Sequence, residues 1–256
     1  MSEKNPIEEI RVSSSLDGSK EPSLLYFPQK PEALLVALHT WSADRFNQLK
    51  TMLPFCQKKN WALLLPEFRG PNLVSNPRAP EAGGSALARR DIVDATEWVL
   101  KNRAAQKIPA FLLGGSGGGH MALMVAAREE FPWQAVSAWC TITDVAAWHD
   151  ENPNYSPHIE AVCGGPPDSE KTAAEYRERS PLFHADALRR HFLQLAHGRQ
   201  DASVPWTHSW KLAERLADSP KFYFSLFNGA HELHEAEAFA FFESTLRDTK
   251  EIQLSR

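Results

Sequence analysis

The stretch AFLLGGSGGGH, residues 110–120, decides the fold of this 256-residue chain. An apolar run, Ala110–Leu113, leads directly into the glycine-flanked Ser116, and a helical pattern begins near Gly119. In a strand–turn–helix of this kind the serine occupies a strained backbone position, where glycine neighbours prevent side-chain collisions. The pattern predicts a hydroxyl that projects above the sheet, beside a helix N-terminus whose N–H groups stabilise negative charge.

A glycine-rich phosphate loop is the main alternative for this segment, because helix N-termini also bind phosphate. The segment lacks the Lys-Ser or Lys-Thr pair of a P-loop. It also lacks a G-x-G-x-x-G followed by an acidic residue about 20 positions later. The sequence therefore favours a nucleophilic serine over a phosphate loop.

Short apolar runs with little alternation recur between longer amphipathic stretches, as in strands that helices cover on both faces. The runs predict strands at Ala33–Leu38, Trp61–Leu65, Ala110–Leu113, Val136–Cys140, Phe192–Ala196 and Phe222–Leu226. The stretches between them predict helices near Arg45–Lys59, Ser85–Lys101, Gly118–Glu130, Trp206–Ala217 and His234–Lys250. Together with an N-terminal hairpin over Ile7–Phe27, they predict an α/β fold with a doubly wound, mostly parallel sheet.

The chain length fits a single α/β domain over residues 1–256. Residues 145–185 differ from the rest, because they show no clear period and contain five prolines, Pro153, Pro157, Pro166, Pro167 and Pro181. We expect a small lid-like insertion of loops and short helices after the sixth strand. An insertion at the carboxyl end of a strand is well positioned to roof an active site.

Composition excludes several function classes. The formal net charge of −4 provides no basic surface for nucleic acid or for a membrane. The first twenty residues are polar, and no span approaches the roughly 20 apolar residues that cross a bilayer. Cys56, Cys140 and Cys163 form no C-x-x-C pair, so neither a disulfide framework nor a zinc site is indicated. We expect a cytoplasmic protein that acts on small molecules.

A serine hydroxyl is a poor nucleophile unless a base takes its proton, so the chain must supply a histidine on a later loop. His231 follows the last predicted strand through the short turn at residues 227–230. The histidine in turn needs a carboxylate to fix its tautomer. Asp201 lies just beyond the strand Phe192–Ala196, and Asp144, after the preceding strand, is the main competitor. Asp144 ranks second, because a helix cap or a loop anchor is its more natural role.

Acyl transfer also requires N–H donors that face the developing oxyanion. The N–H of Gly117, directly after the nucleophile, is the first candidate. The second donor is expected in the loop after the first predicted central strand, from the N–H of Trp41 or, as an alternative, of Thr40. No metal or organic cofactor is expected, because His149-Asp150 and the pair His231 with His234 are too sparse for a ligand set.

Five segments carry a resemblance to a known family: GGSGGGHMA (114–122), HGRQDASVP (197–205), GAH (229–231), RSP (179–181) and PEFRG (66–70). With them the chain resembles α/β hydrolases, and most of all the catalytic domain of prolyl-oligopeptidase and acetyl-xylan-esterase relatives. The resemblance extends from about Leu34 to the C-terminus. It implies the α/β-hydrolase fold and a triad of Ser116, Asp201 and His231, whose order along the chain is the one expected for that architecture.

Two segments depart from the family pattern. Gly117 stands where the group's peptidases have a bulky residue, commonly Tyr, and His39-Thr40 replaces the His-Gly that usually opens the oxyanion loop. Those peptidases also carry a β-propeller before the hydrolase domain, and only about 30 residues precede the first central strand here. These differences favour an esterase with an accessible cleft.

The sequence thus predicts a serine carboxylic ester hydrolase that forms an acyl-enzyme on a small ester. An acetylated carbohydrate is one candidate substrate, by fold-level analogy. A peptidase or amidase with the same triad remains an alternative, and so does a non-catalytic ligand-binding hydrolase fold. Trp148, Tyr155 and Trp206 lie in segments expected to border the cleft, although packing beneath the lid is the stronger expectation for each.

Overall fold

The computed structural model describes residues 6–254, with side chains through residue 246. Within this range one sheet has the strand order β1-β2-β4-β3-β5-β6-β7-β8. The strands are β1 (Ile7–Ser13), β2 (Lys20–Tyr26), β3 (Leu34–Leu38), β4 (Ala62–Pro66), β5 (Ala110–Gly115), β6 (Ala135–Trp139), β7 (Phe192–Gly198) and β8 (Phe222–Phe227). The six strands from β3 to β8 pair in parallel, so their carboxyl ends lie along one edge.

The central strands are buried on both faces. All residues of β3, β4, β5 and β6 are buried, which explains why these segments lack the alternation of a half-exposed strand. The helices are α1 (Leu49–Lys59), α2 (Ala86–Asn102), α3 (Gly117–Arg128), α4 (Val145–Glu151), α5 (Ser156–Cys163), α6 (Glu170–Glu178), α7 (Ala185–Leu188), α8 (Thr207–Leu216) and α9 (Glu235–Leu254). Helices α2, α3 and α8 pack on one face of the sheet, and α1 and α9 on the other. The predicted doubly wound, mostly parallel sheet is confirmed.

The N-terminal hairpin is also present. Strands β1 and β2 pair antiparallel, with Ile7 opposite Tyr26 and Ser13 opposite Lys20. Gly18 lies in the connecting turn with a φ of 76°, a left-handed conformation that glycine adopts without strain. Since β2 pairs antiparallel with β4, the hairpin extends the parallel sheet at one side.

Helix α1 begins later than the sequence pattern predicts, at Leu49 rather than Arg45. The preceding residues form turns in which Asp44 Oδ1 accepts from the Phe46 N–H at 3.0 Å and Asn47 Oδ1 accepts from the Thr40 N–H at 3.2 Å. Short polar side chains of this type compete with helical hydrogen bonds. The segment therefore remains a loop above the end of β3.

Three short helices, α4, α5 and α6, follow β6 and occupy most of the region expected to be an insertion. Their apolar side chains share a separate cluster that includes Trp41, Trp148 and Tyr176. Arg179, just after α6, donates hydrogen bonds to the carbonyls of Ala82 at 2.9 Å and Pro80 at 3.0 Å. These contacts join the segment to the loop that precedes α2. Nowhere in residues 6–254 does a helix have the length and apolar character that crossing a bilayer requires.

Candidate active site

The turn between β5 and α3 has the strained geometry that its glycines predict. Ser116 has φ 56° and ψ −125°, and its N–H donates to the carbonyl of Trp139 at 2.8 Å. A Cβ on Gly114 would lie 2.1 Å from the Gly118 carbonyl oxygen, and a Cβ on Gly118 would lie 2.5 Å from the Leu38 carbonyl oxygen. Both distances are too short for any side chain. Glycine is therefore required on each side for the chain to turn this sharply at the serine.

Asp201 is held by four hydrogen bonds at the end of β7. Its Oδ1 accepts from the N–H groups of Ser203 and Val204, each at 2.9 Å. Its Oδ2 accepts from His231 Nδ1 at 2.6 Å and from His197 Nε2 at 3.1 Å. Burial alone would raise the pKa of this carboxyl, but the bonds from His197, His231 and Val204 outweigh it and hold the pKa well below its usual range. Asp201 is thus a buried carboxylate.

His231 lies on the loop after β8, which is attached to the Asp201 loop by backbone hydrogen bonds. The N–H groups of Arg199 and Gln200 donate to the carbonyls of Phe227 at 3.0 Å and Gly229 at 2.9 Å. His231 Nδ1 carries the proton that Asp201 accepts, an assignment that follows from the hydrogen-bond network. Within the described residues His231 Nε2 has no hydrogen-bond partner, and 31% of the side chain is exposed. The imidazole therefore has a free nitrogen at the surface.

Ser116, Asp201 and His231 occupy one edge of the sheet, because β5, β6, β7 and β8 are parallel neighbours. A Cβ on Gly115 would lie 3.4 Å from Leu233, which places the His231 loop directly beside the serine turn. Among the described residues Ser116 makes no hydrogen bond with His231. In the absence of substrate such bonds are often long and tighten only in the reacting complex.

The backbones of Gly117 and Trp41 approach each other closely beside Ser116. A Cβ on Gly117 would lie 2.4 Å from the Trp41 backbone nitrogen, so the two residues are in close backbone contact. In the part of the chain described here, neither the Gly117 N–H nor the Trp41 N–H donates to a protein acceptor. The Thr40 N–H, by contrast, is already bound to Asn47. The geometry makes Trp41 a better second donor than Thr40.

Asp144, the competing carboxylate, caps helix α4. Its Oδ1 accepts from the N–H groups of Ala146 and Ala147, each at 3.1 Å. The cap confirms the structural role that the sequence favours for this residue.

Two residues that support the Asp201–His231 pair have no role assigned to them in the sequence analysis. His197, fully buried on β7, binds Asp201 and the Val204 carbonyl through Nε2, while its Nδ1 pairs with Ser209 Oγ at 2.7 Å. Cys140 follows β6, and its thiol contacts the His231 loop. The HG-x-x-D segment points to His197, whereas no local pattern points to Cys140.

The aromatic side chains near the site differ in exposure. Trp148 is buried against Trp41, with ring centroids 5.0 Å apart, and its Nε1 donates to the Ser203 carbonyl at 3.0 Å. The expectation of packing is confirmed for Trp148, which therefore belongs to the scaffold. Tyr155 and Trp206 are each partly exposed.

Three side chains are close enough together to raise the question of a metal. In the described residues, ligand atoms of Cys140, Asp201 and His231 lie within 4.8 Å of one another. The atoms of Asp201 and His231 are joined by the 2.6 Å hydrogen bond, and burial raises the pKa of the Cys140 thiol to about 11. Protons thus occupy the positions at which a metal would bind, and the set is better described as a hydrogen-bonded cluster.

Comparison with known proteins places this geometry in a family. Residues 87–239, more than half of the chain, match the model described as "Prolyl oligopeptidase family". A curated protein of Bacillus subtilis (strain 168), named "Uncharacterized peptidase YtmA", is 28% identical over 145 residues. The match covers 54% of this chain and 54% of that protein, so the chain spans about half the length of the relative.

Solved structures agree on the architecture. The Pyrococcus horikoshii acylaminoacyl peptidase is 20% identical with a TM-score of 0.71, and the match covers 90% of this chain and 38% of that one. The Pyrococcus furiosus esterase PF2001 is 13% identical, also with a TM-score of 0.71, and the match covers 95% of this chain and 91% of that one. At these identities the similarity establishes the fold, which is that of an α/β hydrolase. Because the family model matches more than half of the chain, the chain belongs to the prolyl oligopeptidase family of serine hydrolases.

Proposed function

We propose that the protein hydrolyses a small carboxylic ester, with Ser116 as nucleophile, His231 as general base and Asp201 as the carboxylate that orients the base. The observation that carries this proposal is the 2.6 Å hydrogen bond between Asp201 and His231 Nδ1. It leaves Nε2 as the proton acceptor, at the sheet edge where the strained turn exposes Ser116.

The reaction has two acyl-transfer stages. Ser116 Oγ adds to the ester carbonyl as its proton moves to His231 Nε2, and the tetrahedral intermediate then expels the alcohol, which takes that proton. A water molecule adds to the acyl-enzyme in the same way, and the acid and Ser116 are released. The N–H groups of Gly117 and Trp41 stabilise the oxyanion in both stages, and loss of one donor of this type costs roughly 3 kcal/mol.

The electrostatics of the pair suit this role. A carboxylate whose pKa is held low remains ionised throughout the cycle, so Asp201 stabilises the imidazolium that forms on His231. The bonds from Ser203, Val204 and His197 hold the carboxylate in place while its Oδ2 accepts from His231 Nδ1. This arrangement fixes the imidazole tautomer that the mechanism needs.

The chain is proposed to act as a single domain, in which the segment of about residues 145–185 serves as a lid. Support comes from its position after β6 and from the packing of Trp148 against Trp41, a proposed oxyanion residue. The lid would thus be attached to the back of the oxyanion loop. Movement of the lid would therefore shift the Trp41 backbone.

The proposal also includes a substrate class and a cellular compartment. A net charge of −4 without a basic surface suits a small neutral ester. Three buried, unpaired cysteines, Cys56, Cys140 and Cys163, suit a reducing cytoplasm.

A peptidase or amidase of the same mechanism is the second candidate. It is favoured by the name of the family and by the description of the Bacillus subtilis relative as a peptidase. The two activities differ in the leaving group, because an amine must be protonated by His231 before it departs.

Two measurements test the proposal. A fluorophosphonate probe is expected to label the wild-type protein and to leave Ser116→Ala unlabelled. Equal labelling of both proteins would remove Ser116 from the nucleophile role. Absence of labelling in both would favour a non-catalytic ligand-binding protein.

The leaving group is tested with matched substrates. A p-nitrophenyl ester and a p-nitroanilide with the same acyl group separate the esterase from the amidase. The proposal expects higher kcat/KM for the ester after each value is divided by the uncatalysed rate, and a reversed ratio would support the peptidase.

A further inference from the structure

Cys140 connects the strands that carry the proposed nucleophile and the proposed acid. It directly follows β6, which lies between β5 and β7. Its N–H donates to the Ala196 carbonyl on β7 at 2.8 Å, and the peptide carbonyl before it, that of Trp139, accepts from the Ser116 N–H at 2.8 Å. The backbone at Cys140 is therefore anchored to both sides of the site.

The Cys140 side chain contacts the loop that carries His231. Its Sγ lies 3.3 Å from the Glu232 carbonyl oxygen and 3.6 Å from the Ala230 carbonyl oxygen. These are the backbone carbonyls on either side of His231. A thiol has one proton, so the two carbonyls compete for it with the Asp201 carboxylate beside the sulfur, and the Glu232 carbonyl makes the shorter of the two carbonyl contacts.

The thiol is a hydrogen-bond donor at neutral pH. Only 2% of the residue is exposed, and burial raises the pKa of the thiol to about 11. An ionised sulfur would also lie against the Asp201 carboxylate, since the ligand atoms of the two residues are within 4.8 Å. Cys140 therefore keeps the proton that it donates.

The backbone conformation of Cys140 directs its side chain toward this loop. Its φ of 45° is left-handed, a conformation that is strained for a residue other than glycine. Such conformations persist where the surrounding contacts determine them, and they are concentrated at functional sites. The hydrogen bond to Ala196 on one side and the thiol contacts on the other are the contacts that hold it here.

We propose that Cys140 is a positioning residue for the hydrolytic reaction, which holds the backbone on both sides of His231 so that the imidazole stays against Asp201 and within reach of Ser116. The inference rests on the proposed function. Cys140 itself forms no bond to substrate. It keeps the His231 imidazole in the position that the reaction needs. Misplacement of a catalytic group by about 1 Å can reduce a rate by up to about a hundredfold.

Three variants test the role of Cys140. Cys140→Ala removes the donor, Cys140→Ser retains a shorter donor, and Cys56→Ala is the control, because Cys56 is fully buried on α1 and packs in the core on a face of the sheet. For each protein the competent sites are counted by fluorophosphonate labelling, and kcat and KM on p-nitrophenyl acetate are expressed per labelled site. The melting temperature is measured in parallel.

We expect Cys140→Ala to lower kcat per labelled site about tenfold with KM changed little, because positioning acts on the reaction rather than on binding. Cys140→Ser is expected to recover part of this loss. Cys56→Ala is expected to lower the melting temperature through lost packing and to keep the wild-type kcat per site. Cys140→Ala with wild-type kcat per site would overturn the proposal and leave the residue a structural role alone.

Proton NMR tests the positioning role of Cys140 separately from the proposed hydrolytic function. The proton between His231 Nδ1 and Asp201 is expected as a far-downfield proton NMR signal, broadened in Cys140→Ala and unchanged in Cys56→Ala. An unchanged signal in Cys140→Ala would contradict the positioning role. A wild-type protein that takes no fluorophosphonate would reject the proposed function, and the NMR comparison would still decide whether Cys140 holds His231.

Discussion

The two halves of the site are built by different physical means. On the side of the proposed nucleophile, close backbone packing holds Ser116, and a Cβ on Gly114, Gly117 or Gly118 would lie 2.1 to 2.5 Å from backbone atoms. On the side of the proposed acid and base, side-chain hydrogen bonds hold Asp201 and His231, from the 2.6 Å contact between them to the supporting bonds around the carboxylate.

This contrast predicts different responses to substitution. A site held by close packing fails through collision when an atom is added, because packed backbone has little room to move. A site held by hydrogen bonds fails through loss of a partner, which leaves a buried polar group unsatisfied. The two halves can therefore be disrupted separately, by adding a methyl group on one side and by changing a single carboxyl on the other.

The largest of these effects is expected on the acid–base side. Asp201→Asn keeps the shape of the side chain but favours the wrong imidazole tautomer, so kcat is expected to fall by about 10⁴. The matched control is Asp144→Asn, since asparagine caps a helix as well as aspartate does and kcat should remain near the wild-type value. Measurement of both on p-nitrophenyl acetate checks the assignment. A larger loss in Asp144→Asn would transfer the acid role to Asp144.

The next effect is expected on the nucleophile side. In Gly117→Ala the added methyl would meet the Trp41 backbone nitrogen at 2.4 Å and push the two proposed oxyanion donors apart. We expect kcat to fall by about a hundredfold or more, the size of effect seen when one oxyanion donor is lost. Gly18→Ala is the control, because Gly18 has a left-handed φ of 76° and open space around it. It should lose stability and keep its kcat.

A wild-type kcat in Gly117→Ala would show that the contact between Gly117 and Trp41 is not needed for catalysis. Close backbone packing would then not be what determines activity in the half of the site that carries Ser116.

The smallest effect is a pH dependence of stability. Because the folded pKa of Asp201 is depressed, its stabilising contribution is present above the unfolded value of about 3.9 and is lost as the pH falls through the folded pKa. Urea unfolding of the wild-type protein and of Asp201→Asn at neutral and acidic pH measures this contribution. We expect the stability difference between the two proteins to narrow below about pH 4. A difference that stays constant with pH would mean that the hydrogen bonds do not depress this pKa.

The sequence predicts the strained turn at Ser116 and the sheet around it well because their determinants are local. Glycines around Ser116 mark the strained turn, and the apolar runs mark strands buried on both faces, so the parallel sheet follows from short segments. The predicted helix start at Arg45 was wrong, since polar side chains in that loop bind backbone groups and delay α1 until Leu49. Competition between side-chain and helical hydrogen bonds leaves little trace in the spacing of apolar residues from which the helix is predicted.

Part of the support for the Asp201–His231 pair comes from contacts between distant segments. Cys140 reaches Glu232 across 92 positions, and a lone cysteine at a strand end carries no pattern that predicts such a contact. The burial of Trp148 was expected, but its contact with Trp41 joins segments that are far apart in the sequence. The residues of a motif can be identified from the sequence. Residues from distant segments that hold the motif in place can be identified only from the folded structure.

Ser116 and His231 are proposed to act as one unit with Asp201. This is tested by measuring kcat/KM for p-nitrophenyl acetate in Ser116→Ala, His231→Ala and the double variant, with folding checked by circular dichroism. We expect a loss on the order of 10⁵ to 10⁶ for each single variant, and a double variant no less active than the worse of them. Losses that multiply in the double variant would mean that the two residues act independently, and Ser116 and His231 would then not form a catalytic pair.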